Sequence, residues 1–331
     1  MNAQHGGPDA SGAARFDFST NSNAAGPCEA ALQALRQADL TRYPDPAHTA
    51  VREALAAWHG VAPGRIVIAA SASEFIQRFT AVSARLAPGP VAVPAHAYGD
   101  CARAAAACGR QVVQGGEAGE PSATLRWHCG PSSPLGVDDP PPHAMHCADG
   151  AQGVTVLDAV YAPLRLQGRS SWDRAAQAAV FTLHSPNKAL GLTGVRAAYA
   201  VAPAGARWVP WLQALQAAAP SWPLGAEGVA LLSAWPSPVV QQWLAGTLGT
   251  LREWKALQVA ALQALDAEVH ASVTPFFCAR LGVPLQALRE HGVQVRDATS
   301  FGLLGWARLS VMPPLAQQVL VDALRVLKAV A

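Results

Sequence analysis

The chain has 331 residues, of which 51% are hydrophobic and 14% charged, and its formal net charge is +2. A chain of this length can form one large domain with a smaller appendage, or two domains. The basic residues are scattered along the chain, so the sequence predicts neither a nucleic-acid surface nor a polybasic membrane patch.

The sequence shows no targeting segment, membrane span or cysteine framework. MNAQHGGPDASGAARFDFS at the start lacks an apolar run, and no segment approaches the roughly 18 apolar residues of a membrane helix. The six cysteines include no CxxC pair, which is typical of free thiols in a reducing compartment. We therefore expect a cytoplasmic protein without a signal peptide, a transmembrane helix or a metal site.

The predicted elements begin with an extended arm and two helices. Residues 1–27 are rich in Gly, Ala and Ser and contain the strand-like RFDFST, so we interpret them as the arm. CEAALQALRQA at 28–38 has helical spacing, and a second helix is predicted over about 48–59, after the loop TRYPDP. RIVIAA at 65–70 predicts a buried strand, and the helical SASEFIQRFTAVSARLA follows it. Small residues at such a junction are typical of an anion-binding helix N-terminus.

Short apolar strands then alternate with helices. The predicted strands are PVAVPA (90–95), QVVQG (111–115), ATLRWHC (123–129), GVTVLDAVYAPL (153–164, running into a loop), AAVFTLHS (178–185) and AAYAVA (197–202). This alternation predicts an α/β fold around a mostly parallel sheet. Ligands of such sheets bind at the carboxyl ends of the strands, where Asp158, Ser185 and Lys188 fall.

The character of the sequence changes after about residue 205. Long helices rich in Ala, Leu and Trp are followed by short strands and a final helix, which predicts a second, smaller α+β domain. We predict an N-terminal arm at 1–40 that contributes to the small domain, a large domain at 41–215 and a small domain at 216–331.

Lys188 is unusual because the chain has only three lysines against twenty-one arginines. Lys255 and Lys328 lie on helical stretches, and we interpret both as solvated surface residues. Lys188 instead follows a predicted buried strand. An amine in a partly buried pocket can form a Schiff base with an aldehyde.

Pyridoxal 5′-phosphate (PLP) is the cofactor that uses such a lysine. It also needs an acidic residue facing its pyridine nitrogen and an anion site for its phosphate. Asp158, at the end of a predicted strand, supplies the acid. The candidate phosphate contacts are Ser71, Ala72 and Ser73 at the helix start, together with Ser185 and Arg196.

A specific spacing joins these residues. Tyr161 follows Asp158 by three positions, Ser185 precedes Lys188 by three, and Arg196 follows Lys188 by eight. With this spacing the chain resembles the fold-type I, class I/II aminotransferase family of PLP enzymes over nearly its whole length. The resemblance implies the PLP-dependent transferase fold, with Lys188, Asp158 and Tyr161 as catalytic residues. In the family the lysine carries the cofactor, the Asp pairs with the pyridinium nitrogen and the Tyr donates to the 3′ oxygen. The Ser and Arg bind the phosphate.

Two further segments extend the resemblance. In TRYPDP, Tyr43 matches a residue that reaches the phosphate of the neighbouring subunit's cofactor, which implies a homodimer. In WARLSV, Arg308 matches the residue that binds the substrate carboxylate.

Two positions depart from the family pattern. GPSSPLG at 130–136 stands where the family carries N-P-x-N-P-T-G, so Ser133 replaces the Asn that donates to the cofactor's 3′ oxygen, and its reach is shorter. The usual ring-stacking position falls on Cys101, while Tyr98 lies three residues earlier. We favour Tyr98, because an aromatic ring stacks on a pyridine better than a thiol does.

The N-terminal arm resembles that of the threonine-phosphate decarboxylase branch. That arm reads H-G-G and then D-[FL]-S-x-N-x-N-P. HGG at 5–7 and FDFSTNSNAAGP at 16–27 follow this pattern, except that Ala24 replaces the final Pro. Asn23 matches the last Asn of the pattern. The resemblance implies that Asn23 and His5 contact the substrate.

The core residues do not decide which bond at the substrate Cα breaks, because aminotransferases and decarboxylases share them. VQVRDATSFGLLGWARLSV supplies two cations, Arg296 and Arg308, which suit the phosphate and the carboxylate of threonine phosphate. We favour decarboxylation of L-threonine O-3-phosphate to aminopropanol phosphate, a step of cobalamin biosynthesis. The alternative is a PLP-dependent aminotransferase, such as one acting on histidinol phosphate or a related amino acid. The expected partner is therefore a small phosphorylated amino acid or amine.

Overall fold

The computed structural model describes residues 5–115, 123–141 and 153–330. The helices within these ranges are α1 (Glu29–Arg36), α2 (Thr49–His59), α3 (Ala72–Leu86), α4 (Gly99–Ala107), α5 (Arg174–Ala178), α6 (Val209–Ala217), α7 (Ala226–Ala234), α8 (Pro238–Gln263), α9 (Ala287–Glu290) and α10 (Pro314–Ala329). The strands there are β1 (Phe16–Asp17), β2 (Ile66–Ala69), β3 (Val91–Pro94), β4 (Val112–Gly115), β5 (Leu125–Cys129), β6 (Val154–Asp158), β7 (Phe181–His184), β8 (Ala198–Val201), β9 (Glu268–Val269), β10 (Phe276–Arg280), β11 (Val293–Gln294), β12 (Arg296–Asp297) and β13 (Ala307–Ser310). No helix in these ranges is long and apolar enough to cross a membrane.

A seven-stranded sheet in the order β2-β8-β7-β6-β5-β3-β4 forms the large part of the molecule. The pairs from β4 through β3, β5 and β6 to β7 are parallel, whereas β8 is antiparallel to both β7 and β2. The predicted α/β fold with a mostly parallel sheet is confirmed. The strands are continuously apolar because helices cover both faces of the sheet.

Alternation along the strands divides the core into two layers. Ile68 and Tyr199 face a cluster with α1, α2, α7 and the first half of α8. Val67, Ala198 and Phe181 face the opposite cluster, which contains α3, α4 and α6. Successive side chains of a strand point to opposite faces, so each short strand is anchored on both sides. The carboxyl ends of the parallel strands are thereby held rigidly at one edge.

A four-stranded antiparallel sheet, β12-β13-β10-β9, forms the small part. Its core includes Phe18 of the arm, Leu262 at the end of α8 and Leu324 of α10. The arm also joins through the parallel pairing of β1 with β11. The domain boundaries at residues 40 and 215 stay predictions, since α1, α7 and much of α8 pack on the large sheet.

The five cysteines in the described part of the chain are free thiols, and Cys147 lies outside it.

Candidate active site

Two neighbouring parallel strands bring the principal candidates together. Asp158 is the last residue of β6 and pairs in register with Leu183 of β7. Ser185 directly follows β7, and Lys188 lies three residues further on. The Lys188 Nζ atom is 5.5 Å from the ring centroid of Tyr161. The residues whose spacing suggested a PLP site therefore share one edge of the sheet.

The Asp158 carboxylate is partly buried at the end of β6. Burial raises the pKa of Asp158, and this is opposed by a hydrogen bond from the Val160 N–H and by the charge of Lys188. The Val160 N–H donates to Oδ1 over 3.0 Å. A carboxylate held by one backbone N–H has capacity for a cationic N–H partner, which would favour its charged form.

Hydrogen bonds tie the lysine segment to the start of β8. The Ser185 hydroxyl donates to the Ala197 carbonyl over 2.8 Å, and Asn187 Nδ2 donates to the Val195 carbonyl over 3.3 Å. These bonds bring the exposed Arg196 beside the lysine segment. The phosphate contacts expected of Ser185 and Arg196 stay predictions.

The N-terminus of α3 has the donors of an anion cradle. Ser71 is the N-cap, and its side chain accepts from the Glu74 N–H over 3.1 Å. The first-turn N–H groups of Ala72 and Ser73 have no acceptor within the helix. Together with the helix dipole, these groups suit a phosphate.

Tyr98 and Cys101 both lie close to this cradle. The hydroxyl groups of Tyr98 and Ser73 are 3.2 Å apart, and burial raises the pKa of Tyr98 to about 12. Burial also raises the pKa of the Cys101 thiol, followed by the effect of the Asp158 charge. The structure places both alternatives for ring stacking at the site, and the preference for Tyr98 stays a prediction.

Arg308, on β13, joins the small sheet to the site. Its Nη1 donates to the Ser133 hydroxyl over 3.1 Å and its Nη2 to the Ser19 carbonyl over 2.7 Å. Its Nε is buried without a partner among the described residues, and burial lowers the pKa of Arg308. Because Ser133 accepts from Arg308, its own proton stays available to a ligand.

Arg296 places a second buried cation beside the first. Arg296 and Arg308 are paired residues on β12 and β13, and both guanidinium groups lie over the Phe301 ring, at 4.9 and 5.7 Å from its centroid. Burial lowers the pKa of Arg296 to about 10, and the charge of Arg308 lowers it further in the same direction. Arg296 donates to the Ser300 hydroxyl over 2.6 Å. Two buried guanidinium groups on neighbouring strands repel each other, so an anionic ligand bound between them would be stabilised.

Asn21 is a site residue that the sequence analysis missed. Its Nδ2 donates to the Tyr161 hydroxyl over 3.3 Å, so the phenolic proton is free to be donated elsewhere. Its Oδ1 is buried without a partner in the described part of the chain. The available signal is STNSN, where Asn21 and Asn23 alternate along the chain.

Asn23 is bound on several sides by the protein itself. Its Nδ2 donates to the Ala189 carbonyl and to the Thr247 hydroxyl, both over 3.0 Å, and its Oδ1 accepts from the Ala25 N–H. Its backbone N–H donates to the Lys188 carbonyl over 2.9 Å. The protein uses both amide protons of Asn23, and the residue thereby fixes the arm to the lysine segment. Contact of Asn23 with the substrate stays a prediction.

Close packing of the arm explains why the HGG segment carries two glycines. A Cβ on Gly6 would lie 2.1 Å from the Ser19 carbonyl oxygen, and Gly7 has φ +97°, which favours glycine. The Gly7 N–H donates to the Ser19 hydroxyl over 2.8 Å. This packing brings the exposed His5 ring to 6.3 Å from the Tyr98 ring, centroid to centroid. Contact of His5 with substrate stays a prediction.

Tyr43 lies on the surface, away from the buried residues of the site. It is 80% exposed, and its ring stacks on that of Trp222 at 4.4 Å. Such exposure leaves the ring available to a neighbouring subunit.

The interpretation of Lys255 as a surface residue is wrong. It is only 9% exposed, and its Nζ donates to the carbonyls of Ser272 and Thr274 over 2.5 and 2.9 Å. Lys255 is one of the buried residues of α8, and no local sequence pattern indicates this burial. Lys328 is partly exposed, and its Nζ donates to the Leu265 carbonyl.

The assembled groups fit PLP. They supply an amine from Lys188, a carboxylate from Asp158 and a phenol with a free proton from Tyr161. They add a helix N-terminus for a phosphate, and two buried polar atoms, Asn21 Oδ1 and Arg308 Nε, that have no partner in the described ranges. Buried polar atoms without partners destabilise a fold unless a ligand satisfies them.

Comparison with known proteins identifies the family. The family model for aminotransferases of class I and II matches residues 14–325. The chain belongs to this family. It is 26% identical to the histidinol-phosphate aminotransferase of Ruegeria pomeroyi, in a match that covers 94% of this chain and 90% of the relative.

Solved structures share the fold. The histidinol-phosphate aminotransferase of Sinorhizobium meliloti, in complex with PLP, superposes with a TM-score of 0.80 at 21% identity over 94% of this chain and 90% of that one. The L-threonine-O-3-phosphate decarboxylase of Porphyromonas gingivalis gives a TM-score of 0.77 at 21% identity, covering 94% and 99%. Family and fold support a PLP-dependent enzyme.

Replacing Gly6 with Val should release the arm. The added side chain meets the Ser19 carbonyl, and relieving such overpacking costs about 1–3 kcal/mol, so we expect trypsin to cleave after the exposed Arg15 roughly tenfold faster. The matched control is Gly246→Ala, where an added Cβ meets nothing within 4 Å. Equal cleavage rates in Gly6→Val and the unmodified protein would show that the arm does not depend on this contact.

Proposed function

We propose that the chain is a PLP-dependent decarboxylase of L-threonine O-3-phosphate that forms aminopropanol phosphate, as in cobalamin biosynthesis. The observation that carries the proposal is the buried pair Arg296 and Arg308, adjacent on β12 and β13. The arm that carries HGG docks on Arg308 of this pair, through the Ser19 carbonyl.

The charge of the site favours a substrate with two anionic groups. A buried guanidinium is stabilised by a carboxylate or phosphate that it can grip with two parallel hydrogen bonds. Threonine phosphate carries one group of each kind. Histidinol phosphate carries only the phosphate, so it offers a single anionic group to the two guanidinium groups.

The residues at the strand ends then have defined tasks. When bound, PLP supplies an electron sink for the bond that breaks at the substrate Cα. Asp158 would hold a proton on the pyridine nitrogen, and Tyr161 would donate to the ring oxygen with its proton freed by Asn21. The α3 N-terminus would bind the cofactor phosphate.

The substrate is oriented by the small sheet. Arg308 would hold the carboxylate and Arg296 the substrate phosphate. The Cα–carboxylate bond breaks, carbon dioxide leaves, and one proton is added at Cα. Lys188, whose Nζ lies 5.5 Å from the Tyr161 ring centroid, would supply this proton, since a protonated amine is a proton donor.

An aminotransferase is the second candidate. The relative from Ruegeria pomeroyi, at 26% identity, favours it. In that reaction the phosphate of histidinol phosphate and the carboxylates of a dicarboxylic amino acid would use the two arginines in turn.

Carbon dioxide release decides between the candidates. We expect the PLP-loaded protein to release carbon dioxide from L-threonine O-3-phosphate repeatedly, without any keto acid. L-Threonine is the matched control and should react roughly ten- to a hundredfold more slowly, because hydrogen bonds to a charged group contribute about 1.5–3 kcal/mol. No release, with conversion of histidinol phosphate when 2-oxoglutarate is added, would replace the decarboxylase with an aminotransferase.

We further propose a homodimer in which Tyr43 completes the neighbouring subunit's site. Its ring is exposed and is held by stacking on Trp222, whose Nε1 donates to the Pro44 carbonyl. This fixes the loop in an outward position, where a second copy of the chain can use it.

Mixing two inactive variants tests this arrangement. Tyr43→Ala and Lys188→Ala should each be inactive alone, because each lacks one residue of every site. A mixed dimer contains one site with both residues intact, so mixing after mild dissociation should restore activity in about half of its sites. The control is Lys188→Ala mixed with itself. No recovery, with mixed dimers shown by mass, would mean that Tyr43 serves its own subunit.

A further inference from the structure

A short segment connects the small sheet to the site. Residues 272–276, which we call the strap, lead into β10. The Val273 N–H donates to the Gly136 carbonyl over 2.7 Å, and the Val273 carbonyl accepts from the Leu166 N–H over 2.7 Å. The strap therefore lies between the loop that carries Ser133 and the segment that follows Tyr161.

Lys255 holds the strap from the opposite side. Its amine donates to the carbonyls of Ser272 and Thr274, the two residues that flank Val273. Because these two carbonyls point toward α8, the N–H and the carbonyl of Val273 point away from α8, toward Gly136 and the segment after Tyr161. Within the described ranges, no carboxylate lies within ion-pair distance of Lys255, so these carbonyls are its partners.

The loop is packed closely on the strap. A Cβ on Gly136 would lie 2.3 Å from the hydroxyl oxygens of both Ser272 and Thr274, and Gly136 has φ +68°. The two hydroxyls donate to the Phe276 carbonyl over 2.5 and 3.0 Å. Movement of the strap therefore cannot be absorbed at Gly136, and the loop must follow.

The strap reaches the site at two points. The Gly136 N–H donates to the Ser132 carbonyl over 2.9 Å, and the next residue, Ser133, accepts from Arg308. At the other end of the strap, the Phe276 ring packs on the Tyr161 ring with centroids 4.7 Å apart.

We infer that Lys255 is a positioning residue for the substrate carboxylate. Lys255 fixes the position of the strap, and the strap fixes the loop that places Ser133 against Arg308. The inference rests on the proposed role of Arg308. Lys255 itself touches neither cofactor nor substrate. Its loss leaves the amine of Lys188 and the phosphate cradle in place, so cofactor binding is retained while the carboxylate is held less well.

Ligands with and without a carboxylate separate this role from a general loss of structure. We expect Lys255→Met to weaken binding of L-threonine O-3-phosphate about tenfold, read from the absorbance change of the PLP-loaded protein. Binding of aminopropanol phosphate, which lacks the carboxylate, should stay within about twofold, as should PLP retention. The control is Lys328→Met, a helical lysine that donates to the Leu265 carbonyl and should change neither ligand.

Equal weakening of both ligands, or of neither, would overturn the inference. If Lys255→Met does not fold, Lys255→Gln keeps an amide donor and should weaken binding of threonine phosphate selectively, but by less than Lys255→Met. If the unmodified protein does not bind threonine phosphate, the proposed function fails instead. Glutamate and histidinol phosphate then form the pair with and without a carboxylate, and the same selective loss for glutamate is required.

Discussion

The buried guanidinium of Arg308 connects three parts of the molecule that are distant in sequence. It extends from the small sheet and donates to Ser133 in a loop of the large domain and to the Ser19 carbonyl in the arm. A charge removed from water is tolerated only where hydrogen bonds replace its hydration. The arm and the loop must therefore dock together, and their docking brings HGG, the strap and the site residues into place. The Nε–H of Arg308 has no partner among the described residues, so it can donate a hydrogen bond to a ligand.

The large sheet supplies the complementary half of the site. Its two apolar layers hold β6 and β7 so that Asp158 and the segment carrying Lys188 emerge side by side. Under the proposed function, the residues that would bind the cofactor thus lie at the ends of rigid strands, whereas those that would bind the substrate lie on the small sheet and the arm. The helix α8 joins the halves, because its apolar residues enter both cores. This division explains how one family retains its cofactor chemistry while its substrates differ.

Local patterns predicted the features that depend on local physics. Buried strands, helical spacing and the Asp158 to Lys188 register can be found in the sequence, because periodicity and short spacing determine them. The antiparallel direction of β8 and the burial of Lys255 depend on contacts far along the chain. The partners of Asn23 have the same origin, since they lie at Ala189 and Thr247, far along the chain. Sequence spacing does not predict such long-range contacts.

The central claim is that Lys188 carries the cofactor, and borohydride reduction of the PLP-loaded protein followed by peptide mass mapping tests it directly. Burial lowers the pKa of Lys255 to about 8, which makes its amine a chemically plausible competitor. We predict that the reduced cofactor is found on the peptide containing Lys188, at about one per chain. A label on Lys255 or Lys328, with Lys188 unmodified, would contradict the account.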